Sequence, residues 1–430
     1  MKIIRTTDSD FSAALEEIRR RGEADTSRVE AAVREIIDDV KARGDRAVLD
    51  YTARFDGVAM KRSAMRVSRR EMNGALKGIP RGDVRLLELA AERIERFHAR
   101  QRGNSWFVTE EDGTVLGQRV TPIARAGLYV PGGKAAYPST VLMNAVPARV
   151  AGVGSLVMTT PAAGSDINPY VLAAAAVAGV DEVYRIGGAQ AVAAMAFGTE
   201  TIAAVDKIVG PGNIYVATAK RLVFGAVDID MVAGPSEILV INDGTGDPRW
   251  IAADLLGQAE HDELASSILV TTSERTARRV AAAVKRGLAK LRRKDIAASS
   301  IERYGVVIVA ASLEEAAEIS NRIAPEHLEL FVDDPWALLG RIRNAGAVFL
   351  GRTTPEAAGD YLAGPNHTLP TGGTARFSSP LGVDDFVKRS SVLSFSQAAL
   401  ERLGPSIERF AALEGLDAHG RSVTVRLEKP

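Results

Sequence analysis

Cysteine is absent from this chain of 430 residues, and histidine occurs only five times. Without cysteine there can be no disulfide, thiolate zinc site, iron–sulfur cluster or cysteine nucleophile. A tightly bound metal would therefore need imidazole and carboxylate ligands, because these are the other groups that zinc commonly accepts in proteins. The few histidines are consequently the first residues to examine for chemistry.

An excess of charge and long apolar runs are also missing. The 54 Lys and Arg residues balance the 54 Asp and Glu residues, whereas a nucleic-acid surface usually shows as a basic excess. The longest apolar runs, such as residues 170–180, are too short to span a bilayer. The opening MKIIRTTDSDF lacks the apolar core of a secretory signal. We therefore expect a cytoplasmic protein with no nucleic-acid partner and no membrane contact.

The spacing of apolar residues predicts a change of architecture along the chain. Residues 1–105 show the three- and four-residue spacing of amphipathic helices. From about 120 to 240, and again from 266 to 351, short apolar runs alternate with helical ones. Such strand–helix–strand units predict an α/β fold with parallel sheets covered by helices. Residues 351–385, rich in Gly, Pro, Thr and Ser, predict a long loop, and residues 386–430 predict a helical tail.

Three glycine-rich turns follow predicted strands, at residues 130–140, 186–198 and 209–220. None is a Walker loop, since Lys134 is followed by Ala135, and none reads G-x-G-x-x-G. A glycine turn that opens a helix presents free N–H groups to a phosphate. Tight turns between strands and helices also use glycine for steric reasons alone. The pattern by itself leaves both a nucleotide site and a purely structural role open.

Histidines and possible oxygen ligands lie in three separate segments. Gln258 and His261 are three residues apart on one face of a predicted helix. Asp360 and His367 lie in the predicted loop, and His419 lies in the tail. These segments are compatible with a zinc site that keeps one position open for substrate. The chain has no H-E-x-x-H motif, so spacing alone also allows ordinary hydrogen-bonded histidines.

Glu326 and His327 stand at the start of a predicted strand, in PEHLELFV. Histidine titrates near neutrality, and apolar surroundings raise the pKa of a carboxyl group into the same range. The two residues are therefore candidates for an acid–base pair. The alternative is a glutamate and a histidine at a solvated strand end.

Eight motifs occur in the order seen in one enzyme family: AGLYVPGG, YPSTVLMNAVPA, GPGNIYVATAK, DMVAGPSE, QAEHD, PEHLEL, GDYLAGPNHTLPTGGTARFSSPL and EGLDAHGRSV. From about residue 25 to the C-terminus the chain resembles the histidinol dehydrogenases. The resemblance implies oxidation of L-histidinol through L-histidinaldehyde to L-histidine in histidine biosynthesis, with NAD as the oxidant. It also implies one Zn²⁺ per subunit, a small-molecule substrate and a homodimer with a shared active site.

The resemblance also assigns roles to residues. It implies that Glu326 and His327 are the acid–base catalysts. It implies zinc ligands at Gln258, His261, Asp360 and His419, the last supplied to the site of the other subunit. NAD contacts are implied at Tyr129, Gln190 and Asn213. The implied substrate contacts are Ser236, His367 and Glu414, together with His327 and the four zinc ligands.

The domain boundaries expected from pattern and resemblance describe two Rossmann-like domains in an intertwined dimer. Residues 1–24 are expected to form a helical segment. The first α/β domain, with the metal and catalytic residues, is expected at 25–128 and 237–385. The second, with the NAD contacts, is expected at 129–236. The remaining residues, 386–430, are expected to form a dimerisation tail.

The missing cysteine also limits the route of the second oxidation. Because no thiohemiacetal can form, water must add to the aldehyde and give a hydrate. We therefore hypothesise that His327 accepts the alcohol proton and that Glu326 activates the water. Three alternatives remain: an NAD-dependent dehydrogenase of another small polar alcohol such as a sulfonated diol, a zinc hydrolase with Glu326 as base, and a non-catalytic α/β binding protein.

Overall fold

The computed structural model describes residues 1–20, 27–132, 136–162, 164 and 166–428. Residues 133–135 of the first glycine turn and residues 21–24 of the expected N-terminal segment lie outside this set. The chain divides into two compact units. Unit 1 comprises Met1–Gln101 and Ala124–Phe386, and unit 2 comprises Arg102–Ile123 and the chain from Val387 onward.

The strands of the described residues are short. In chain order they are β1 Lys2–Arg5, β2 Arg66–Val67, β3 Trp106–Thr109, β4 Val115–Pro122, β5 Arg125–Tyr129, β6 Ser155–Thr159, β7 Glu182–Tyr184, β8 Lys207–Val209, β9 Asp228–Ile229, β10 Glu237–Asn242, β11 Ser266–Thr271, β12 Gly305–Val309, β13 His327–Phe331, β14 Ala347–Leu350 and β15 Val387–Ser394.

The helices lie mostly between these strands. They are α1 Phe11–Arg20, α2 Ser27–Arg43, α3 Asp45–Asp56, α4 Arg62–Met65, α5 Arg69–Gly78, α6 Arg81–His98, α7 Pro138–Ala151, α8 Pro169–Val177, α9 Gly188–Phe197, α10 Ile214–Val223, α11 Pro248–Ala259, α12 Glu274–Leu288, α13 Lys294–Tyr304, α14 Leu313–Ile323, α15 Pro335–Leu339, α16 Glu356–Tyr361, α17 Gln397–Leu413 and α18 Asp417–Leu427. None of them combines the length and apolar composition that crossing a membrane requires.

Sheet 1 of unit 1 has the order β1-β12-β11-β10-β13-β14, and all its strands are parallel. Leu239 and Ile241 face one apolar cluster, and Ile238 and Val240 face another on the opposite side. A parallel strand that is buried on both faces reads as a continuous apolar run, which is why EILVIN lacks alternation. The order of the last five strands is that of a doubly wound fold.

Sheet 2 of unit 1 has the order β2-β7-β6-β5-β8-β9 and is parallel except for β2. Its core contains Tyr129 and Val157 together with Val33 and Ile36 of α2. Helices from the region 27–98 therefore belong with sheet 2, whereas the sequence-based boundaries grouped this region with 237–385. An apolar helix face indicates that a helix packs, but it does not indicate which of two sheets it covers.

The N-terminal segment also differs from the expected purely helical one. Lys2–Arg5 form β1, which extends the edge of sheet 1 by pairing in parallel with Gly305–Val309. Phe11 and Leu15 of α1 pack into the apolar core of sheet 1 that also contains Ile4 of β1. Four residues without alternation carry little strand signal, and the pairing partner lies about 300 positions away in sequence. The edge of sheet 1 beside β12, with which Lys2–Arg5 pair, exists only in the folded chain.

Unit 2 is built from two distant segments. The strand Val387–Ser394 pairs antiparallel with Val115–Pro122, which pairs in turn with β3. Helices α17 and α18 pack against each other, and Arg402 of α17 forms an ion pair with Asp112 in the β3–β4 turn. The tail is therefore not wholly helical, and residues 102–123 belong with it. The mostly exposed β15 gave no alternating apolar pattern that would have predicted a strand.

The predicted loop at 351–385 also contains regular structure. Helix α16, Glu356–Tyr361, follows Pro355, and short 3-10 turns occur at Thr374–Arg376 and Val383–Phe386. Six residues are too few to show a helical repeat, and helices this short depend on tertiary contacts. The loop prediction was therefore wrong at the helix that carries Asp360.

Candidate active site

Strands β10 and β13 are neighbours in sheet 1, and they begin with Glu237 and His327. The backbone of Glu237 holds both members of the predicted acid–base pair. Its N–H donates to Glu326 Oε2 at 2.8 Å, and its carbonyl lies 3.0 Å from His327 Nδ1. Because a carbonyl oxygen only accepts, Nδ1 carries the ring proton of the neutral imidazole and Nε2 carries the lone pair. Within the described part of the chain, His327 Nε2 has no hydrogen-bond partner.

The electrostatic surroundings suit this pair to proton transfer. Glu326 and His327 are only 6% and 4% exposed. Burial lowers the pKa of His327 to about 4, because an imidazolium would lose its hydration. Burial also raises the pKa of Glu326 well above its ordinary value. The imidazole is therefore neutral near pH 7 and able to accept a proton. The Glu326 carboxyl group holds a proton more tightly than one in water, so its ionised form is the stronger base.

Helices α11 and α16 bring further polar groups to the same edge of sheet 1. Helix α11 follows β10 and returns to the amino ends of the strands, where β11 begins. Ligand atoms of His261, Glu356 and Asp360 all lie within 4.8 Å of one another. His327 Nε2 lies 3.7 Å from Glu356 Oε1 and 4.0 Å from Asp360 Oδ1. His327, the predicted base, therefore shares one site with His261 and Asp360, two of the predicted metal ligands.

Gln258, in the last turn of α11, is completely buried, and neither atom of its amide has a hydrogen-bond partner among the described residues. The prediction that His261 lies on the same helix was wrong, because α11 ends at Ala259 and His261 lies in the turn that follows. Leaving a buried amide unpaired costs about 1–3 kcal/mol. The imidazole of His261 and the carboxyl groups of Glu356 and Asp360, which cluster in the same site, are ligand types that zinc accepts. The residues present therefore fit a metal ion, and the fit rests on this orphaned amide and the group around His261.

Glu356 was not among the predicted site residues. It stands one helical turn before Asp360 on α16, is 4% exposed, and has a carboxyl oxygen within 4.8 Å of one of Asp360. Burial, with the nearby Asp360 charge, raises the pKa of Glu356 to about 9. The only sequence signal was the four-residue spacing of two acids in PEAAGDY, which places both on one helix face.

The predicted substrate contacts are divided between the units. His367 lies beside Asp360, since its Nδ1 is 3.1 Å from the Asp360 carbonyl. Ser236 is half-buried and immediately precedes β10. Glu414 and His419 belong to unit 2, where Glu414 ends α17, His419 lies on α18, and both are exposed.

A cavity of about 870 Å³ opens at this edge. Its lining includes His327, Asp360 and His367 on one side and Lys207 and Asp230 on another. This volume falls within the usual range for sites that bind small molecules and cofactors. The neutral imidazole and the carboxylates thus face a space that admits a ligand.

The predicted NAD contacts lie on sheet 2, at the carboxyl ends of its strands. Tyr129 ends β5, and its hydroxyl accepts the N–H of Gly188 at 3.1 Å. Gln190, in the first turn of α9, is buried, and neither of its amide atoms has a hydrogen-bond partner in the residues that the structure describes. Asn213 caps α10 by accepting backbone N–H groups at 3.0 and 3.2 Å. Doubly wound sheets bind nucleotides at this end, where the strand order reverses between β5 and β8.

The fold and the site define an α/β enzyme whose buried histidine and carboxylate groups face a cavity at the amino ends of parallel strands. The family model for histidinol dehydrogenase matches residues 19–427. The chain is 60% identical over 428 residues to histidinol dehydrogenase of Syntrophotalea carbinolica, covering 100% of this chain and 99% of that protein. It is 61% identical over 429 residues to the Geobacter metallireducens protein of the same name, covering 100% and 98% of the two chains.

A solved structure gives the same result. The crystal structure of histidinol dehydrogenase from Elizabethkingia anophelis superimposes with a TM-score of 0.93 at 38% identity, covering 99% of this chain and 98% of that chain. This chain therefore belongs to the histidinol dehydrogenase family. The expected family and α/β fold class are confirmed.

Proposed function

We propose that this chain oxidises L-histidinol to L-histidine through L-histidinaldehyde, with NAD as the oxidant and zinc as a resident metal. Family membership supports the reaction. The observation that carries the proposal within the site is the lone pair on His327 Nε2, which faces the carboxyl group of Asp360 in the same cavity. The cytoplasmic location stays a prediction.

Gln258, His261 and Asp360 would hold the zinc ion, and His419 of the other subunit would complete its ligands. When bound, zinc would supply a fixed positive charge that anchors the imidazole and amine of the substrate. Tyr129, Gln190 and Asn213 would hold NAD, which would accept one hydride in each oxidation. Ser236, His367 and Glu414 would complete the substrate contacts, and the other subunit would supply Glu414 in a homodimer.

His327 accepts the proton in each of the two oxidations of this scheme. Its Nε2 accepts the hydroxyl proton as the alcohol becomes the aldehyde, while the Nδ1–H bond to the Glu237 carbonyl holds the ring in place. Glu326 removes a proton from the water that adds to the aldehyde, and the protonated His327 gives its proton to the aldehyde oxygen, which returns the imidazole to its neutral form. His327 then accepts a hydroxyl proton of the resulting hydrate as the acid forms. Because both residues are buried, they react with substrate protons in an environment that contains little competing water.

The test of the reaction is NADH formation from histidinol. We expect two NADH for each histidinol consumed, loss of turnover after treatment with a chelator, and recovery when zinc is added. Circular dichroism should show that the chelated protein remains folded. One NADH per substrate, or faster turnover of a sulfonated diol, would contradict the proposed substrate. Full activity of metal-free protein would contradict the zinc assignment.

Glu326→Gln should damage the second oxidation more than the first. The amide keeps the oxygen that accepts the Glu237 N–H, but it cannot take a proton from water. Loss of a positioned general base typically lowers the rate by about 10²–10⁴-fold. We expect a loss of this order with histidinaldehyde in single-turnover assays and a smaller one with histidinol. An equal or greater loss in the alcohol step would contradict this division of roles.

A further inference from the structure

Behind the active site, two carboxyl groups join the three elements that carry its residues. Asp254 lies on α11, one helical turn before Gln258, and Glu329 lies on β13, two residues after His327. Residues two apart on a strand share a face, so Glu329 lies on the His327 side of sheet 1. Glu329 is 3% exposed, and its carboxyl group lies within hydrogen-bonding reach of that of Asp254, so a shared proton would join the two groups.

Glu329 also binds the start of α16. Its Oε1 accepts the backbone N–H of Glu356, the first residue of that helix, at 2.9 Å. The preceding residue, Pro355, makes no side-chain cap. A carboxyl oxygen at a helix N-terminus satisfies a free N–H group and complements the helix dipole. Glu329 therefore replaces the missing cap of a six-residue helix that carries Asp360 one turn later.

The carboxyl pair needs a proton, since two carboxyl groups form a hydrogen bond only when one of them can donate. Burial raises the pKa of both Asp254 and Glu329, which favours the protonated form that such a hydrogen bond requires. Asp254 and Glu329 thereby connect α11, β13 and α16 through one neutral or singly charged pair. Neither Asp254 nor Glu329 belongs to the cluster of possible metal ligands formed by His261, Glu356 and Asp360.

We propose that Asp254 and Glu329 are positioning residues for the metal centre, which set the separation of Gln258 and His261 on one side from Asp360 and His327 on the other. The inference rests on the proposed zinc site. Glu329 fixes the start of the Asp360 helix, and Asp254 fixes the Gln258 helix to Glu329. Partners of this kind, which hold ligands without touching the metal, typically change metal affinity by about 10–100-fold when they are removed.

The test is the zinc dissociation constant of the full-length protein, measured by competition with a chromophoric chelator. Glu329→Ala should weaken zinc binding by about 10–100-fold. Glu329→Gln should retain most of the affinity, because its amide oxygen can accept the Glu356 N–H while its amide nitrogen donates to Asp254. The absorption spectrum of the cobalt-loaded protein should shift in Glu329→Ala and stay close to wild type in Glu329→Gln.

Two further variants keep the result decisive. Asp254→Ala, at a half-exposed helix position, should also weaken zinc binding and provides the test if Glu329→Ala fails to fold. Asp243→Asn is the matched control: Asp243 accepts the backbone N–H of Asp333 at 2.7 Å at the other end of β13, and we expect unchanged zinc affinity.

The outcomes separate this inference from the proposed function. Wild-type protein that binds no zinc would contradict the metal site itself. Wild-type binding with unchanged affinity and cobalt spectra in Glu329→Ala and Asp254→Ala would overturn the positioning role alone. Equal losses in Glu329→Gln and Glu329→Ala would also overturn it, because the conservative amide should preserve both hydrogen bonds.

Discussion

His327→Asn should lower kcat for histidinol by about 10²–10⁴-fold, the usual contribution of a general base, while zinc affinity stays close to that of the wild type. The asparagine amide nitrogen can replace Nδ1 as the donor to the Glu237 carbonyl, which lies 3.0 Å from Nδ1. What the variant lacks is Nε2, the atom whose lone pair faces the cavity. His327→Asn should therefore remove the proton acceptor and preserve the hydrogen bond to the Glu237 carbonyl.

A second buried histidine offers a matched control for this loss. His98 Nδ1 lies 2.8 Å from the carbonyl of Ile94, and the residue is fully buried. His98→Asn should reduce thermal stability without a comparable loss of kcat. Near-normal turnover in His327→Asn would contradict its role as the base. A parallel loss of zinc affinity would instead indicate that His327 holds the metal.

Mixed dimers of His327→Asn and His419→Ala chains should recover activity that neither variant has alone. If His419 completes the site of the other subunit, one site of the mixed dimer carries both defects and the other carries none. Purified mixed dimers should then show about half of the wild-type activity, as the symmetry of a two-site dimer requires. Co-expression with two different affinity tags allows the mixed species to be isolated and assayed.

The control for this experiment comes from residues that one chain brings together. His327 and Asp360 lie 4.0 Å apart within unit 1, so a His327→Asn chain paired with an Asp360→Asn chain has one defect in each site. That dimer should remain inactive. Absence of recovery in the His327→Asn and His419→Ala pair would contradict the shared site. Recovery in the control pair would show that pairing two defective subunits restores activity even when each site keeps a defect, which would also contradict this interpretation.

Several structural features follow from local sequence alone. Apolar runs such as EILVIN and SSILVT predict buried parallel strands, because a sheet covered on both faces needs apolar residues at every position. The apolar run before Gln258 predicts the helix that carries this residue, although α11 ends at Ala259, before His261. Motif order along the chain is sufficient to predict the family. These signals need no knowledge of contacts between distant segments.

Other features depend on pairs that sequence spacing does not reveal. Lys2–Arg5 become a strand only beside Gly305–Val309. Helices α2 and α3 pack into the core of sheet 2, and their apolar faces alone do not indicate which of the two sheets they cover. Glu329 reads as one polar position in an alternating strand, yet it is buried and binds the start of α16.

The absence of cysteine, the residue types available for a metal and the class of enzyme are thus determined by sequence, because they depend on composition and motif order. The tertiary structure alone decides the protonation of His327 and the joining of α11, β13 and α16. The proton of His327 is placed on Nδ1 by the carbonyl of Glu237, a residue 90 positions away. Burial then sets its pKa, and burial is a property of the packed chain.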